Sequence, residues 1–190
     1  MADIKIIHIN DSSRYGLLDI STIEASSKRE LEAKGIQLLL STLFNTEKCI
    51  LAYEESGKPY LKSHSEHISI SHSHDKVAII VNKDEATGID IELIRDKVFT
   101  VAHKFLTDAE RADLKKEEVE KYLVYWAAKE TLFKIRGDRS VNFKQNLFVE
   151  PFSYKAGGGT ITGRIVLPHY EKNYTLHYQK AGNYILVYPV

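Results

Sequence analysis

The apolar positions along the chain follow two periods, and each period predicts a type of secondary structure. Alternating or continuous β-prone runs predict strands at 4–9, 67–71, 76–81, 87–92, 147–152, 160–166, 174–178 and 184–188. Helical spacing predicts one helix that Ser26 and Ser27 open and that runs through about Leu43. It predicts a second helix over 117–136, which Gly137 ends. Helices and strands in this order indicate an α+β fold.

Polar residues refine this picture at three places. A polar break at 82–85 predicts a hairpin turn that pairs the strands on its two sides. Thr107 is a suitable N-cap for a short helix, with Glu110 at the capping-box position. The apolar side of the first helix is expected to consist of Leu31, Leu38, Leu39 and Phe44.

Two acidic residues interrupt the apolar run at 88–92. Because side chains alternate along a strand, Ile89 and Ile91 point to one face, while Asp90 and Glu92 point to the other. Two neighbouring carboxylates repel each other unless a cation lies between them. An ordinary solvated strand face with the isoleucines in the core is the alternative.

The second helix carries Trp126, Glu130 and Lys134 at a spacing of four, along one stripe, with Lys129 beside it. A Glu-to-Lys pair at this spacing can simply support a helix. Trp126 argues for more, because an aromatic side chain marks a partly buried face, where charged groups need a partner or a task.

The two segments together provide the groups of a magnesium site. Asp90, Glu92 and Glu130 supply oxygen ligands of the kind that Mg²⁺ prefers, and this ion is often shared with substrate phosphates. Lys129 and Lys134 can neutralise the remaining phosphate charge. These residues predict an enzyme that acts on a phosphate compound.

The composition limits the classes of partner. The chain has 26 basic and 26 acidic residues, so its formal charge is zero and nucleic acid is not an expected partner. One cysteine cannot form an internal disulfide and indicates a reducing cytoplasm. Residues 1–10 resemble a first strand rather than a signal peptide, and no stretch is long enough to span a bilayer.

A local basic patch can still attract an acidic protein partner. Its candidates flank the predicted site in sequence, although scattered surface cations are an equally good interpretation: Lys104, Lys115, Lys116, Arg136 and Arg139. Four nearby histidines raise a different possibility, a zinc site: His64, His67, His72 and His74. Their spacing matches no recognised zinc motif and no cysteine lies near, so surface roles are favoured.

Five segments have the order and approximate spacing of one known family. They are Gly-Lys-Pro-Tyr-Leu at 57–61, Ile-Ser-Ile-Ser-His-Ser at 68–73, Gly-Ile-Asp-Ile-Glu at 88–92, Phe-Leu-Thr-Asp-Ala-Glu at 105–110, and Trp-Ala-Ala-Lys-Glu-Thr-Leu-Phe-Lys at 126–134. On these segments the chain resembles the 4′-phosphopantetheinyl transferase superfamily, in its two-lobed type that activates peptide-synthetase and acyl carrier proteins.

The resemblance implies a single unit over 1–190. Its two similar α/β lobes, approximately 1–86 and 87–190, would be related by pseudo-twofold symmetry. The tripeptide Thr-Leu-Phe occurs at 42–44 and again at 131–133, which is consistent with a duplicated lobe. With both lobes in one chain, a monomer is expected.

The resemblance also implies roles for individual residues. The ligands of Mg²⁺ match Asp90, Glu92 and Glu130. The lysine that contacts the pyrophosphate of coenzyme A matches Lys134, and the lysine of the family's Lys-Glu pair matches Lys129. The nucleotide contacts match in three groups: Ser71 and His72 at the 3′-phosphate, Lys58 and Pro59 at the adenine, and Lys28, Arg29 and Lys34 in a region of further phosphate contacts.

The implied reaction transfers 4′-phosphopantetheine from coenzyme A to a serine of an apo carrier protein and releases 3′,5′-ADP. The carrier can be an acyl, polyketide or peptidyl carrier protein. Glu130 and Lys134 are the expected catalytic residues, and Glu130 acts as the base directly or through a water molecule. A catalytically silent module that binds coenzyme A or a carrier is one alternative. A different Mg²⁺-dependent phosphoryl enzyme is another.

Overall fold

The computed structural model describes residues 3–115 and 118–190, and these form helices and strands in a mixed order. The elements are β1 (Ile4–His8), β2 (Ser13–Asp19), α1 (Lys28–Phe44), β3 (Leu51–Tyr53), β4 (Pro59–Leu61), β5 (His67–Ser73), β6 (Lys76–Asn82), β7 (Asp90–Leu93), α2 (Lys97–Phe105), α3 (Asp108–Ala112), α4 (Val119–Arg136), β8 (Leu147–Val149), β9 (Gly159–Leu167), β10 (Tyr170–Ala181) and β11 (Tyr184–Pro189). The predicted α+β class is confirmed. The predicted helix start at 117 lies outside the described residues.

The helix ends agree with the local signals in the sequence. Ser27 caps α1 by accepting a hydrogen bond from the Glu30 backbone N–H. Thr107 and Glu110 form the predicted capping box at the start of α3. Gly137 ends α4 in the left-handed conformation, with φ of 65°, which glycine adopts without steric cost.

Two antiparallel sheets organise the chain, each with one long helix packed on it. The first sheet has the order β1-β2-β6-β5 and carries α1, and the second has the order β7-β11-β10-β9-β8 and carries α4. The small hairpin β3-β4 stands apart from both. The change of sheet falls between β6 and β7. The expected pseudo-twofold relation between two lobes remains a prediction.

The predicted hairpin between β6 and β7 is wrong. Strand β6 has β2 on one edge and β5 on the other, so neither edge is free for β7. Strand β7 instead pairs with β11, with Asp90 opposite Val187 and Glu92 opposite Ile185. Between β6 and β7 the chain passes against α4, where a Cβ on Gly88 would lie 2.3 Å from the carbonyl oxygen of Thr131.

The core has three parts, one under each long helix and one between the two sheets. The part between the sheets includes Ile89 and Ile91, which are fully or almost fully buried. Under α1, the predicted apolar side is wrong in one position: Leu38 is 38% exposed, whereas Leu39 is buried. The buried face of α1 includes Gly35, whose lack of a side chain lets the helix approach the strands closely.

The edges of the two sheets meet at β5 and β7 through side chains. The hydroxyl oxygens of Ser69, Ser71 and Ser73 accept hydrogen bonds of 3.1–3.2 Å from the backbone N–H groups of Ile89, Ile91 and Leu93. Each serine contacts the residue twenty positions later, so the two strands run in the same direction. These three serines, called the serine seam below, satisfy N–H groups that an open edge would leave without partners.

Among the described residues, no helix is both long and apolar enough to cross a membrane.

Candidate active site

Strand β7 directs Asp90 and Glu92 toward α4, while Ile89 and Ile91 enter the core, as the alternation of side chains predicts. Asp90 is only 3% exposed. Its Oδ1 accepts hydrogen bonds from Nζ of Lys134 at 2.7 Å and from Oγ of Ser71 at 2.8 Å. Lys134 also donates to the carbonyl oxygen of Ile89 at 2.9 Å. The C-terminal end of the α4 stripe is therefore fixed to β7.

Glu92 fixes the other end of that stripe. Its Oε1 accepts a hydrogen bond from the indole Nε1 of Trp126 at 2.8 Å, and its Oε2 accepts one from Oγ of Ser73 at 3.2 Å. Glu130 lies on α4 between Trp126 and Lys134, at the spacing of four that places all three on one face. The structure therefore brings the predicted acids of two distant segments together.

The pKa values of the three acids are raised by burial and, for Glu92 and Glu130, by neighbouring carboxylates. Burial raises the pKa of Asp90, and the neighbouring Lys134 opposes this increase. Burial also raises the pKa of Glu92, and the charge of Asp90 adds to it. Burial raises the pKa of Glu130 to about 7, with contributions of the same sign from Asp90 and Glu92. Asp90 thus disfavours ionisation of Glu92, and both disfavour ionisation of Glu130, a situation that a bound cation relieves.

The donor set fits a magnesium ion, although it does not form a finished cage. Oδ2 of Asp90 is buried and has no hydrogen-bond partner within the described part of the chain, so it lacks the partner that a buried oxygen normally has. In that same part, no three His, Cys, Asp or Glu side chains converge as a ready metal site. Mg²⁺ usually takes one or two carboxylates and completes its shell with water and substrate phosphates, so convergence of three acids is not required.

A cleft of 310 Å³ opens beside these acids and collects several predicted nucleotide contacts. Lys58, Pro59 and His72 line it together with Glu130 and Lys134. Lys58 donates from Nζ to the carbonyl oxygen of Ile135 at 3.3 Å, and burial lowers the pKa of its ammonium group. The β3-β4 hairpin and β5 thus contribute one wall of the cleft and α4 contributes the other.

A larger cavity of 610 Å³ lies on the other side of Glu92 and Trp126, and the sequence did not reveal it. Its walls are mainly apolar and its rim is basic; the lining includes Val98, Val101, Leu123, Phe143, Arg95, Lys97 and Lys104. Helix α2 forms much of this wall with valines three residues apart, which is the signal that could have indicated it. Glu92 therefore lines the larger cavity, whereas Glu130 lines the smaller cleft.

Among the described residues, members of the expected basic patch lie at different places. Lys104 lies at the larger cavity, whereas Arg139 donates from Nε to the carbonyl oxygen of Ser56, beside the smaller cleft. Arg136 approaches Asp138 at 3.8 Å. Lys115 is exposed, and Lys116 lies outside the described residues.

The structure does not support a nucleotide contact for Ser71. Along β5, Ser71 points to the serine seam and is 6% exposed, whereas His72 points the opposite way and lines the cleft. The hydroxyl of Ser71 already binds Asp90 and the Ile91 N–H. Strand alternation therefore separates two neighbours that the resemblance assigned to one phosphate.

Lys129 is also not available to a phosphate. Its side chain is 0% exposed, and its ammonium group donates to Oε2 of Glu110 at 2.7 Å, to the carbonyl of Phe105 at 2.7 Å and to the carbonyl of Phe143 at 3.0 Å. These three bonds use all three ammonium hydrogens. Lys129 faces the core because it lies on the buried stripe of α4 with Tyr125 and Leu132.

The basic residues of α1 divide in a similar way. Nδ1 of His72 lies 3.2 Å from Glu32, which in turn lies 3.6 Å from Nζ of Lys28, so Lys28 is near the cleft. Lys34 instead pairs with Glu30 at 2.7 Å and donates to the carbonyl oxygen of Glu24. Arg29 is exposed. Of the four histidines considered for zinc, His64 approaches Glu66 at 3.9 Å and His72 approaches Glu32 at 3.2 Å.

Comparison with known proteins identifies relatives of the region that holds these acids. The 4′-phosphopantetheinyl transferase superfamily matches residues 86–188. The 4′-phosphopantetheinyl transferase psf-1 of Bacillus pumilus is 34% identical over 96 residues, which cover 48% of this chain and 41% of the relative. The 4′-phosphopantetheinyl transferase AcpT of Escherichia coli O157:H7 is 30% identical over 120 residues, 58% of this chain and 59% of the relative. AcpT of Salmonella typhi is 31% identical over 94 residues, 46% of this chain and 49% of the relative.

These matches span about half the length of the curated relatives. The superfamily match covers more than half of the present chain, including β7, α4 and β11. The chain belongs to the 4′-phosphopantetheinyl transferase superfamily.

Proposed function

We propose that this protein transfers 4′-phosphopantetheine from coenzyme A to a serine of an apo carrier protein, with Mg²⁺, and releases 3′,5′-ADP. The observation that carries the proposal is that Glu130 and Lys134 line the smaller cleft while Glu92 lines the larger cavity, with Asp90 hydrogen-bonded to Lys134. The smaller cleft has the charge for a nucleotide, and the larger cavity has the apolar walls for a pantetheine arm and its acceptor.

Coenzyme A would place its nucleotide in the smaller cleft. Lys58 and Pro59 stand at one wall, where a ring can pack against the proline and the lysine stem. His72 and Lys28, linked through Glu32, are near enough to meet a phosphate at the mouth of the cleft. Lys134 reaches the pyrophosphate as a point charge while it stays paired with Asp90.

Asp90, through its unpartnered Oδ2, would hold Mg²⁺ together with Glu92 and Glu130. When bound, this ion neutralises the pyrophosphate and the charge that develops on the leaving group. Lys134 holds Oδ1 of Asp90 and so leaves the second oxygen for the cation. Trp126 holds Glu92 at the boundary between the cavities.

The reaction forms one bond and breaks one. The serine oxygen of the carrier bonds to the β-phosphorus of coenzyme A, and the bond from that phosphorus to the oxygen of 3′,5′-ADP breaks with its electron pair. Glu130 takes the serine proton, directly or through a water molecule. Lys134 stabilises the negative charge on the phosphate oxygens during this displacement.

The partner that we propose is an acidic acyl, polyketide or peptidyl carrier protein. Arg95, Lys97 and Lys104 form a basic rim at the larger cavity, where such a carrier could present its serine. The protein would act as a monomer in the cytoplasm, where its single, buried cysteine stays reduced.

The test is to incubate the protein with apo acyl carrier protein, coenzyme A and Mg²⁺ and to read the intact mass of the carrier. We expect a gain of one phosphopantetheine, which EDTA and the Glu130→Gln variant abolish. Glu120→Gln is the matched control, because Glu120 lies on the same helix but pairs with Lys180 at 2.6 Å, away from the site.

Three other outcomes would contradict parts of this proposal. Coenzyme A binding without transfer to an acyl or a peptidyl carrier would indicate a silent binding module. Turnover of nucleotides without any carrier would indicate another Mg²⁺-dependent phosphoryl enzyme. A gain in carrier mass that persists in the Glu130→Gln variant would remove Glu130 from the mechanism.

A further inference from the structure

We propose that Ser71 and Ser73 are positioning residues that orient the two metal-binding carboxylates of β7. The inference rests on the proposed function and adds a part of the machinery that lies in the other sheet. Each hydroxyl accepts the N–H of one β7 residue and donates to the acid immediately before that residue: Ser71 joins Ile91 and Asp90, and Ser73 joins Leu93 and Glu92.

The direction of each serine hydrogen follows from its surroundings. The Oγ of Ser71 accepts the Ile91 N–H at 3.2 Å, so its own hydrogen is left for Oδ1 of Asp90 at 2.8 Å. Ser73 repeats this pattern with 3.1 Å to the Leu93 N–H and 3.2 Å to Oε2 of Glu92. Both serines are less than a tenth exposed, so water has little access to compete for these bonds.

The bonds decide which carboxylate oxygens remain for a cation. Oδ1 of Asp90 is held by Ser71 on one side and Lys134 on the other, while Oδ2 has no hydrogen-bond partner in the described chain. Glu92 is held between Ser73 and Trp126, which keeps its side chain on the α4 side of β7. A carboxylate held in this way loses less rotational freedom when it binds a metal.

Ser69 separates this positioning effect from the structural effect of the seam. It accepts the N–H of Ile89 at 3.2 Å, as the other two serines do for their residues. The residue before Ile89 is Gly88, which has no side chain to receive the hydroxyl hydrogen. Ser69→Ala therefore removes a seam bond and no carboxylate bond, which makes it the matched control, with coenzyme A kept saturating because Ser69 also lines the smaller cleft.

The test measures metal affinity directly. Free Mn²⁺, used in place of Mg²⁺, is titrated against each variant at constant coenzyme A and read from its electron paramagnetic resonance signal. We expect Ser71→Ala and Ser73→Ala to raise the Kd for Mn²⁺ by about 10-fold or more, the effect typical of losing a hydrogen bond to a metal ligand. Ser69→Ala should stay within about twofold, although it also loses a seam bond and with it thermal stability.

Two additional measurements keep the test decisive. Ser71→Cys and Ser73→Cys retain the shape but replace a strong donor by a weak one, and they serve if an alanine variant does not fold. In the transfer assay, high Mg²⁺ should restore the kcat of Ser73→Ala, since orientation and not chemistry is lost.

The inference is overturned if all three serine variants bind Mn²⁺ like the wild type, or if Ser69→Ala weakens binding as much as Ser73→Ala. If the variants give either of these results and the wild-type protein still transfers phosphopantetheine, only the positioning role is refuted. A wild-type protein that binds no Mn²⁺ with coenzyme A and transfers nothing would refute the proposed function and the positioning role together.

Discussion

Nζ of Lys129 lies 2.7 Å from Oε2 of Glu110 in an ion pair that solvent does not reach. Glu110 uses the same oxygen to bind the Thr107 N–H and its Oε1 to bind the Val149 N–H. The pair thus connects α3, α4 and β8 beneath the site. It is a structural contact, although its lysine is the neighbour of Glu130.

Replacing Lys129 by Met should destabilise the protein strongly without changing coenzyme A binding by the folded fraction. The change leaves the Glu110 carboxylate buried without its cation, a loss of about 3–5 kcal/mol in the free energy of unfolding. Urea denaturation measures it. The Lys129→Met, Glu110→Gln double variant should lose less than the sum of the single variants. A raised KM for coenzyme A at unchanged stability would contradict this placement.

Replacing Gly88 by Ala should weaken both the fold and the site. The new methyl group would lie 2.3 Å from the backbone oxygen of Thr131, so β7 or α4 must move. We expect a loss of about 1–3 kcal/mol in the free energy of unfolding, together with weaker metal binding. Gly157→Ala is the control, because nothing lies within 4 Å of the corresponding Cβ position. Equal melting temperatures for the two variants would refute the close approach.

Replacing Lys58 by Met should raise the KM for coenzyme A by about 10- to 100-fold and leave kcat nearly unchanged. The reason is that a hydrogen bond to a charged group contributes about 1.5–3 kcal/mol, while the cleft wall keeps its apolar stem. Steady-state transfer kinetics measures the change. Lys62→Met, on an exposed side chain just beyond β4, should change neither constant. A fall in kcat alone would place Lys58 at the reacting phosphate instead.

The Asp19 carboxylate should stabilise the folded protein at neutral pH and should lose this effect in strong acid. A hydrogen bond from Lys76 at 2.6 Å, supported by Ser21, lowers the pKa of Asp19 from 3.8 to about 2. Because the folded pKa is the lower one, the stabilisation is complete above about pH 4 and disappears as the pH falls toward 2.

Urea denaturation of the Asp19→Asn variant and the wild type tests this dependence. The two midpoints should differ at pH 6 and converge between about pH 4 and 2. Asp11→Asn, at an exposed turn, is the control. A constant difference across this range would mean that the Asp19 carboxylate is not responsible.

Local sequence patterns predicted the parts of the site that depend on a single element. Alternation along β7 placed Asp90 and Glu92 together, and a spacing of four placed Trp126, Glu130 and Lys134 on one face of α4. The same helical period could have shown that Lys129 belongs to the buried stripe with Tyr125 and Leu132. The carbonyl and carboxylate partners that allow this lysine to be buried come from the end of α2, from α3 and from the loop at Phe143, which no local period reveals.

Pairing between strands was harder to predict, because it depends on which edges are already occupied. The polar turn after β6 resembled a hairpin turn, but both edges of β6 are taken. Helix α2 was missed because Val98, Phe99, Thr100 and Val101 have weak intrinsic helix propensity, so the packing of its apolar face must stabilise it. Strand β2 was missed because Gly16 and its polar first residues weaken the strand pattern.

The pairing of β7 with β11 has a consequence for the order in which the protein can mature on the ribosome. Strand β7 leaves the ribosome first, and its backbone partner β11 is made only after β8, β9 and β10. Until then the backbone groups of Asp90 and Glu92 have no strand to pair with. A nascent chain therefore completes the strand pairing that anchors these carboxylates only after β11 is made, and we expect activity to arise late in synthesis.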